Sequence, residues 1–322
     1  LISFIKLLNR YVVMKMADFV FKLSQYIKEK KLGFFSFDKS FKELTTVKVG
    51  GKIRLLFMPF TIENFIEFYD FYWKNGHSMP LVVIGNGSNI LASDNDFEGI
   101  VVSFKELQVK YYRLGEEFYF FPQCKMPYIA NVMIGLGYRE IEYFGGVPGT
   151  IGGTVAMNAS YLSKSIGDFV SEVVVITKDN TIKKYEANQL KFSYRTSSIK
   201  ENSDIVLLVK LHFPKGDSEL TKKNYLKLLE FRKNKQPLNA LSAGCAFKNP
   251  KEVRAWEVIK ELGYCGKKIG GAKVSEKHCN FIINTGDAKA SDLYEILKSI
   301  QRDAKIKKNI ELENEWILIN FD

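Results

Sequence analysis

Between Gly145 and Asn158 the chain reads GGVPGTIGGTVAMN, five glycines and one proline in fourteen residues. A solvent loop has no use for Ile151, Val155 and Met157, so this backbone is expected to be buried. Buried glycine-rich backbone marks close approach, either by another packed element or by a flat or charged ligand. A second segment, GNGSN at Gly85–Asn89, runs directly out of the apolar stretch PLVVIG. It has neither the GxGxxG order of a Rossmann turn nor the GK[ST] of a P-loop. Its glycines still let successive N–H groups converge, and Ser88 and Asn89 add side-chain donors, so a diphosphate can sit there without a counter-charge. Two such segments in different parts of one chain point to a single extended ligand bridging them, such as a dinucleotide.

Around these segments the pattern of the chain changes twice. Residues 53–59 (IRLLFMP) read as a strand, and Thr61 as the N-cap of a helix carrying Ile62, Phe65, Ile66, Tyr69 and Tyr72 on one face up to Gly76. With PLVVIG as the next strand, this is a βαβ unit followed by a glycine-rich turn. From about residue 100 to 215 short alternating runs (GIVVSF, KYYRLG, EFYFFP, SEVVVIT, IKKYE, IVLLVKLHF) suggest antiparallel strands. After Pro214-Lys215-Gly216 come a basic helix at Leu220–Lys235, a helix around Val253, Trp256, Ile259 and Leu262, and a strand at Phe281–Asn284. A helix from Ser291 and a closing strand WILIN complete it. The expected class is α+β, divided as 1–15 (an N-terminal extension), 16–101 (α/β), 102–215 (mostly antiparallel β) and 216–322 (a smaller α+β block).

Composition narrows the function classes. The 322 residues are 46% hydrophobic, enough for sizeable cores, and no apolar run approaches the ~18 residues of a membrane span. The net charge of +11 tempts one toward nucleic acid, but it comes from 39 scattered lysines against eight arginines. Arginine is the residue suited to bidentate phosphate and base contacts, so neither nucleic acid nor membrane is an expected partner. Four cysteines (Cys124, Cys245, Cys265, Cys279) lack CxxC pairing and read as reduced thiols of a cytoplasmic protein. With three histidines in the chain, no metal site is expected.

TTVKVGG, GNGSN, GGVPGTIGGTVAMNAS, FSYRTS, KQPL with SAGCAFKNP, GGAKVSEKHCNFIIN and LENEW occur in that order between Thr45 and Trp316. This series resembles the UDP-N-acetylenolpyruvoylglucosamine reductases, and the resemblance runs from about Thr45 to Ile319. It implies non-covalent FAD in the two-subdomain flavin fold of vanillyl-alcohol-oxidase-like enzymes, with a C-terminal substrate domain. It further implies NADPH as co-substrate, a UDP-sugar as substrate, a role in peptidoglycan synthesis, and a cytoplasmic monomer. Cofactor contacts would fall at Gly85, Asn86, Gly87, Ser88, Asn89 and Ile90, and at Gly146, Pro148, Gly149, Thr150, Gly152, Gly153, Asn158 and Ala159.

For the chemistry, Arg195 of FSYRTS matches the family arginine that stabilises a developing enolate, and its planar fork suits a carboxylate. Glu315 of LENEW matches the catalytic glutamate. Period-two spacing puts Glu313 on the same face, so the local pattern does not separate the two acids. Cys245 stands where the family usually has a proton-donating serine and is expected to donate in its place as a neutral thiol, with a lowering of its pKa by Arg195 and nearby lysines as the liability of that role. Tyr194, Lys235, Asn249 and His278 fall at or near substrate-contacting positions, while Lys248 is expected in solvent. Arg195 and Cys245 are separated by 49 residues, which places the chain in the subgroup without an extra tyrosine-bearing loop. MNASYLSKS departs from the family pattern, which leaves the contacts of Ser160 and Tyr161 open. The competing readings are another oxidoreductase of the same flavin fold, a flavin-binding protein without turnover, and a basic RNA-binding protein.

Overall fold

The computed structural model describes residues 2–76 and 78–321, with side chains from Lys15 onward. Leu1, the start of the expected 1–15 extension, lies outside the described residues. The helix that follows is continuous from Ile2 to Lys30 and does not break at residue 16.

A first sheet has the order Gly33–Ser36, Ile53–Pro59, Phe97–Ser103, Leu81–Ile84. The last three strands are mutually parallel, and the first is an antiparallel edge. The strand containing GIVVSF, expected among antiparallel neighbours, is the central parallel strand here. The reason lies in its composition: Ile100, Val101 and Val102 are consecutive and all fully buried, as a strand covered on both faces must be. It also runs across the expected division at 101/102, so the first block extends at least to Ser103. Thr61 caps the helix Ile62–Gly76 by accepting from the Asn64 N–H (3.1 Å). That helix packs Phe65, Phe68, Tyr69 and Tyr72 over Leu55, Phe57, Ile100 and Val102, with Leu23 and Ile27 of the first helix beside them.

A five-stranded antiparallel sheet follows, in the order Ile182–Glu186, Val170–Ile176, Ile205–Leu211, Glu117–Phe120, Tyr111–Leu114. Its Phe118, Phe120, Val173 and Val209 pack against Met126, Ile129 and Met133 of one helix and Ile151 and Val155 of another. The latter helix, Ile151–Ala156, is what most of TIGGTVA becomes. The basic helix Ser218–Lys235 also belongs to this core by packing, through Tyr225 and Leu229, although it was expected in the third block. Ser218 Oγ donates to the Ile134 carbonyl at its start (2.8 Å). This docking carries the last turn of the helix to the glycine-rich segment.

The third block is an antiparallel sheet, Leu241–Cys245, Phe281–Asn284, Ala272–Val274, Lys268–Ile269, backed by helices Ala255–Glu261 and Ala290–Lys308. Leu293, Ile296, Leu297 and Ile300 of the longer helix are fully buried in it. Here the expectation of four reduced thiols is corrected: Cys265 and Cys279 form a disulfide, their Cα atoms 5.2 Å apart. They flank the hairpin of Lys268–Ile269 and Ala272–Val274, which brings its two ends together. Cys124 and Cys245 are free.

Several contacts tie this block to the first, among them the following two. Asp94 accepts from the backbone N–H of Ala290 (2.8 Å) and Ser291 (2.9 Å), capping the start of the Ala290–Lys308 helix. The closing strand, Ile317–Ile319, pairs in parallel with Ile90–Ala92, directly after GNGSN. Among the described residues no helix is long and apolar enough to cross a membrane.

Gly87 shows how tightly the glycine-rich turn is packed. Its φ is +62°, and a Cβ there would stand 2.2 Å from the Leu44 carbonyl oxygen. The chain itself, rather than a ligand, demands glycine at this point. A left-handed non-glycine residue costs roughly 1–2 kcal/mol before any clash. Gly87→Ala is therefore expected to lose more than about 1 kcal/mol in a urea titration; an unchanged midpoint would mean that the turn can shift away from Leu44.

Candidate active site

A cavity of about 780 Å³ opens between the first two blocks. Its walls include Gly85 and Asn86 of the first glycine-rich segment and Thr150, Gly152 and Gly153 of the second. The two segments are tied together where Asn86 Nδ2 donates to the Pro148 carbonyl (2.7 Å). Lys48, Lys105, Lys110 and Lys125 bring positive charge to the lining, and sequence reasoning missed all four because their neighbours are distant in the chain. Thr154 Oγ1, beside Gly149, is buried with no hydrogen-bond partner among the described residues. A long, partly apolar space with bare backbone, lysines and an unused hydroxyl fits a dinucleotide with a diphosphate.

The other residues expected around the cofactor have different duties. Gly87 and Ile90 do not line the cavity; Ile90 is paired with Ile317 in the closing strand. Ser88 lies by Gly149. Asn158 is buried, with its Nδ2 donating to the Ser193 carbonyl (2.9 Å) and its Oδ1 accepting from Gly167 N–H (3.1 Å). It thus supports the hairpin that carries Arg195. The Ala159 carbonyl accepts from Ile166 N–H (3.0 Å), a purely structural bond. Gly146 makes room for Arg232, whose Nη1 would be 2.8 Å from a Cβ there.

Beyond the second glycine-rich segment, three elements meet. Arg195 sits in the hairpin between Phe192–Ser193 and Thr196–Ser197 with a left-handed φ of +59°, a strained conformation for a side chain of this size. Its Nε lies 3.0 Å from Glu315 Oε1, at ion-pair distance though with the N–H off the line to the carboxylate. Glu315 is held at both ends of its peptide. Its N–H donates to the Ala246 carbonyl (2.9 Å), and its carbonyl accepts from Asn89 Nδ2 (3.0 Å). Burial pushes the Glu315 carboxyl above the usual carboxylate range, and Arg195 offsets this only in part. Glu313, two residues earlier, is exposed and paired with Lys248 (2.9 Å). The two acids are separated because regular strand begins only at Ile317.

Cys245 ends the strand Leu241–Cys245, next to Ala246, and keeps some accessible surface. The expectation that neighbouring cations lower its pKa is overturned. Burial dominates, aided by the Glu315 charge, and pushes the thiol up to about 12 against the pull of Arg195 and Arg232. Tyr194 and Asn249 are brought together, the Tyr194 hydroxyl accepting from Asn249 N–H (3.2 Å), while Asn249 Oδ1 accepts from Ala255 N–H (3.0 Å). His278 packs edge-on against Phe281 (5.0 Å between ring centres), its Nδ1 buried without a hydrogen-bond partner among the described residues, and burial lowers its pKa. Lys235 is exposed at the end of its helix and makes no ion pair or hydrogen bond among the described residues.

Residues 236–319 match the model of the UDP-N-acetylenolpyruvoylglucosamine reductase C-terminal domain, a span that contains Cys245 and Glu315. Over 291 residues the chain is 35% identical to the UDP-N-acetylenolpyruvoylglucosamine reductase of Caldanaerobacter subterraneus subsp. tengcongensis, covering 90% of this chain and 94% of the relative. The chain belongs to this reductase family. The enzyme of the same name from Clostridium tetani is 34% identical over 284 residues, 87% of this chain and 91% of the relative. The crystal structure of the Thermus caldophilus reductase superposes with a TM-score of 0.75 at 29% identity, covering 89% of this chain and 98% of that one. The α+β fold described above is thus that of the reductase family, and the chain spans nearly the full length of these relatives.

Asn89 links the first glycine-rich segment to Glu315. Asn89→Ala is expected to cost about 1 kcal/mol of stability, the typical worth of one hydrogen bond. Its larger effect should be on turnover, through a less well-placed Glu315 carboxylate. A variant with lowered stability but unchanged kcat would show that the bond serves the fold alone.

Proposed function

We propose that this chain reduces the enolpyruvyl ether of UDP-N-acetylglucosamine enolpyruvate to UDP-N-acetylmuramate, a step of peptidoglycan synthesis, with FAD as bound cofactor and NADPH as reductant. The observation that carries the reading is the Arg195–Glu315 pair beside the enclosed Cys245 thiol, next to a glycine-backed cavity. In this reading the first two blocks hold FAD, through Gly85, Asn86, Thr150, Gly152, Gly153 and the lining lysines. The third block, through Asn249 and His278, takes the UDP-sugar together with Tyr194 of the second-block hairpin and Lys235 of the docked helix as proposed contacts. When bound, FAD supplies the hydride that the substrate's β-carbon requires, and NADPH restores it.

The protein's own groups handle the charge and the proton. Negative charge grows on the substrate's α-carbon and carboxylate, and Arg195 is a fixed cation already in place for it. Glu315, with its raised pKa, keeps that cation oriented and can itself take up or release a proton at Oε1. Cys245 Sγ is the proposed proton donor to the α-carbon. A thiol with a pKa of about 12 is protonated throughout the neutral and moderately alkaline range, so the donor is always loaded.

The test is anaerobic: reduce the enzyme with NADPH, then follow flavin reoxidation on adding the enolpyruvyl UDP-sugar. Failure of that substrate to reoxidise the flavin overturns the proposal. Arg195→Lys keeps the charge and loses the fork, so reoxidation should slow strongly while NADPH-driven reduction stays closer to normal. Cys245→Ala should slow reoxidation by roughly 10²–10⁴, and Cys245→Ser should retain substantial activity. A fully active alanine variant would make Cys245 a space-filling residue.

A pH profile follows from the raised thiol pKa. A group whose pKa is raised stays protonated until the pH nears the new value, so the donor is lost only as pH approaches about 12. Reoxidation rates of the wild type and Cys245→Ser should therefore run parallel from pH 7 to about 10. A wild-type rate that falls near the ordinary thiol pKa of ~8.5 while the serine variant holds would contradict the enclosed, neutral thiol.

A further inference from the structure

The ladder between Leu241–Cys245 and Phe281–Asn284 ends at the pair Cys245–Phe281. The next two residues, Ala246 and Phe247, are fully buried, so their backbone groups still need partners on that side. The neighbouring strand offers no further peptide in line. Just before it the chain turns back, Ser275 N–H donating to the Phe281 carbonyl (2.8 Å) and Phe281 N–H to the His278 carbonyl (2.9 Å). Asn280, in that turn and itself buried, supplies the missing bonds. Its backbone carbonyl accepts from Ala246 N–H (2.8 Å). Its Oδ1 accepts from Phe247 N–H (2.9 Å), and its Nδ2 donates to the Phe247 carbonyl (2.8 Å). A side-chain amide carries an acceptor and a donor side by side, as a peptide does, so it can stand in for the strand that is absent here.

The opposite edge of the same short stretch carries the acid. The Ala246 carbonyl accepts from Glu315 N–H (2.9 Å), Phe247 pairs with Asn314 in an antiparallel bridge, and Lys248 N–H donates to the Glu313 carbonyl (2.9 Å). Residues 246–248 thus form a strip of backbone between Asn280 and the segment 313–315, and Cys245 leads directly into it.

We infer that Asn280 is a positioning residue for the reaction, holding the strip that sets Cys245 and Glu315 relative to each other. The inference rests on the roles proposed above for those two residues. Asn280 acts through Phe247 and Ala246 and exchanges no proton with the substrate. Without its amide, both backbone groups of Phe247 lose their partner in a dry interior, and the strip must shift or admit water to satisfy them. Either response moves the peptide that supports Glu315 and the chain that carries the thiol. A misplacement of ~1 Å can cost on the order of a hundredfold in rate.

The test follows the two half-reactions separately in the FAD-loaded enzyme, flavin reduction by NADPH and reoxidation by the enolpyruvyl UDP-sugar. Wild type, Asn280→Ala, Asn280→Asp and Asp292→Ala are each assayed well below their melting temperatures. Asp292 is the control for stability alone, since it accepts from Gly271 N–H (3.0 Å) and Lys289 N–H (3.0 Å) elsewhere in the block. Asn280→Ala should slow reoxidation by about tenfold or more while reduction stays within about twofold, and Asp292→Ala should leave both within about twofold. In parallel, iodoacetamide labelling of Cys245, read by mass spectrometry, should be about fivefold or more faster in Asn280→Ala and unchanged in Asp292→Ala, because only the first loosens the strip. An aspartate at position 280 presents a donor beside its acceptor only while protonated, and burial raises its pKa above the ordinary ~3.9. Its reoxidation rate relative to wild type should therefore rise as the pH falls from about 8 to 5.5. Reoxidation or labelling of Asn280→Ala at the wild-type rate overturns the inference, as does an equal loss in both half-reactions or in Asp292→Ala. If Asn280→Ala does not accumulate as folded protein, the nearly isosteric aspartate variant decides, a relative rate that is low and flat across the pH range counting against the inference. A wild-type flavin that the sugar does not reoxidise overturns the proposed function instead, and the labelling still decides the role of Asn280.

Discussion

The position of Glu315 depends on a parallel pairing that joins the two ends of the functional chain. Ile317–Ile319 lies along Ile90–Ala92, and one residue further back Asn89 both holds the Glu315 carbonyl with its side chain and accepts from Ile317 N–H (2.9 Å). From the other side the Ala246 carbonyl takes the Glu315 N–H, so the acid and the cysteine are fixed in one frame. The glycine-rich turn before Asn89 therefore does two jobs. Its first residues face the cavity, and its last residue sets the acid. A shift of this pairing by one residue would turn Glu315 away and bring Asn314 or Trp316 into its place.

Cations outnumber anions among the enclosed groups of the site. Two guanidinium groups, one carboxylate and one neutral thiol are enclosed together, and the helix, hairpin, strand and C-terminal segment that carry them come from the second and third blocks. Low polarity strengthens each of these interactions and raises the cost of any group left unpaired. The arrangement leaves these groups with more cations than anions. The Cys265–Cys279 disulfide ends one residue before Asn280, whose side chain holds both the N–H and the carbonyl of Phe247. The segment after Cys245 is in this way fixed from its far side.

Much of this was legible in the sequence because it rests on local periodicity and on motifs contiguous in the chain. The α+β class, the helix begun by Thr61, the helix carrying Leu293 to Ile300, and the two glycine-rich segments follow from spacing alone. Arg195 and Glu315 were reached through motif register, and the ion pair between them joins residues 120 positions apart. What local pattern missed were placements set by packing. The strand Phe97–Ser103 reads like its antiparallel neighbours, but it is inserted between two strands already in place. The helix Ser218–Lys235 reads as a basic helix of the third block, yet Tyr225 and Leu229 pack into the core of the second.

The sequence by itself determined which residues are chemically able to act: a fork-shaped cation, two candidate acids, a thiol in place of a hydroxyl, and backbone bare enough for a ligand to approach. Tertiary structure decided which of them meet and in what state. It chose Glu315 over Glu313 by placing one inside and the other in solvent with Lys248. It raised the thiol pKa of Cys245 where nearby cations were expected to lower it, because a sequence shows the charges near a thiol but not the water excluded from around it. Desolvation depends on every atom packed about a group, and that is decided only when distant segments come together.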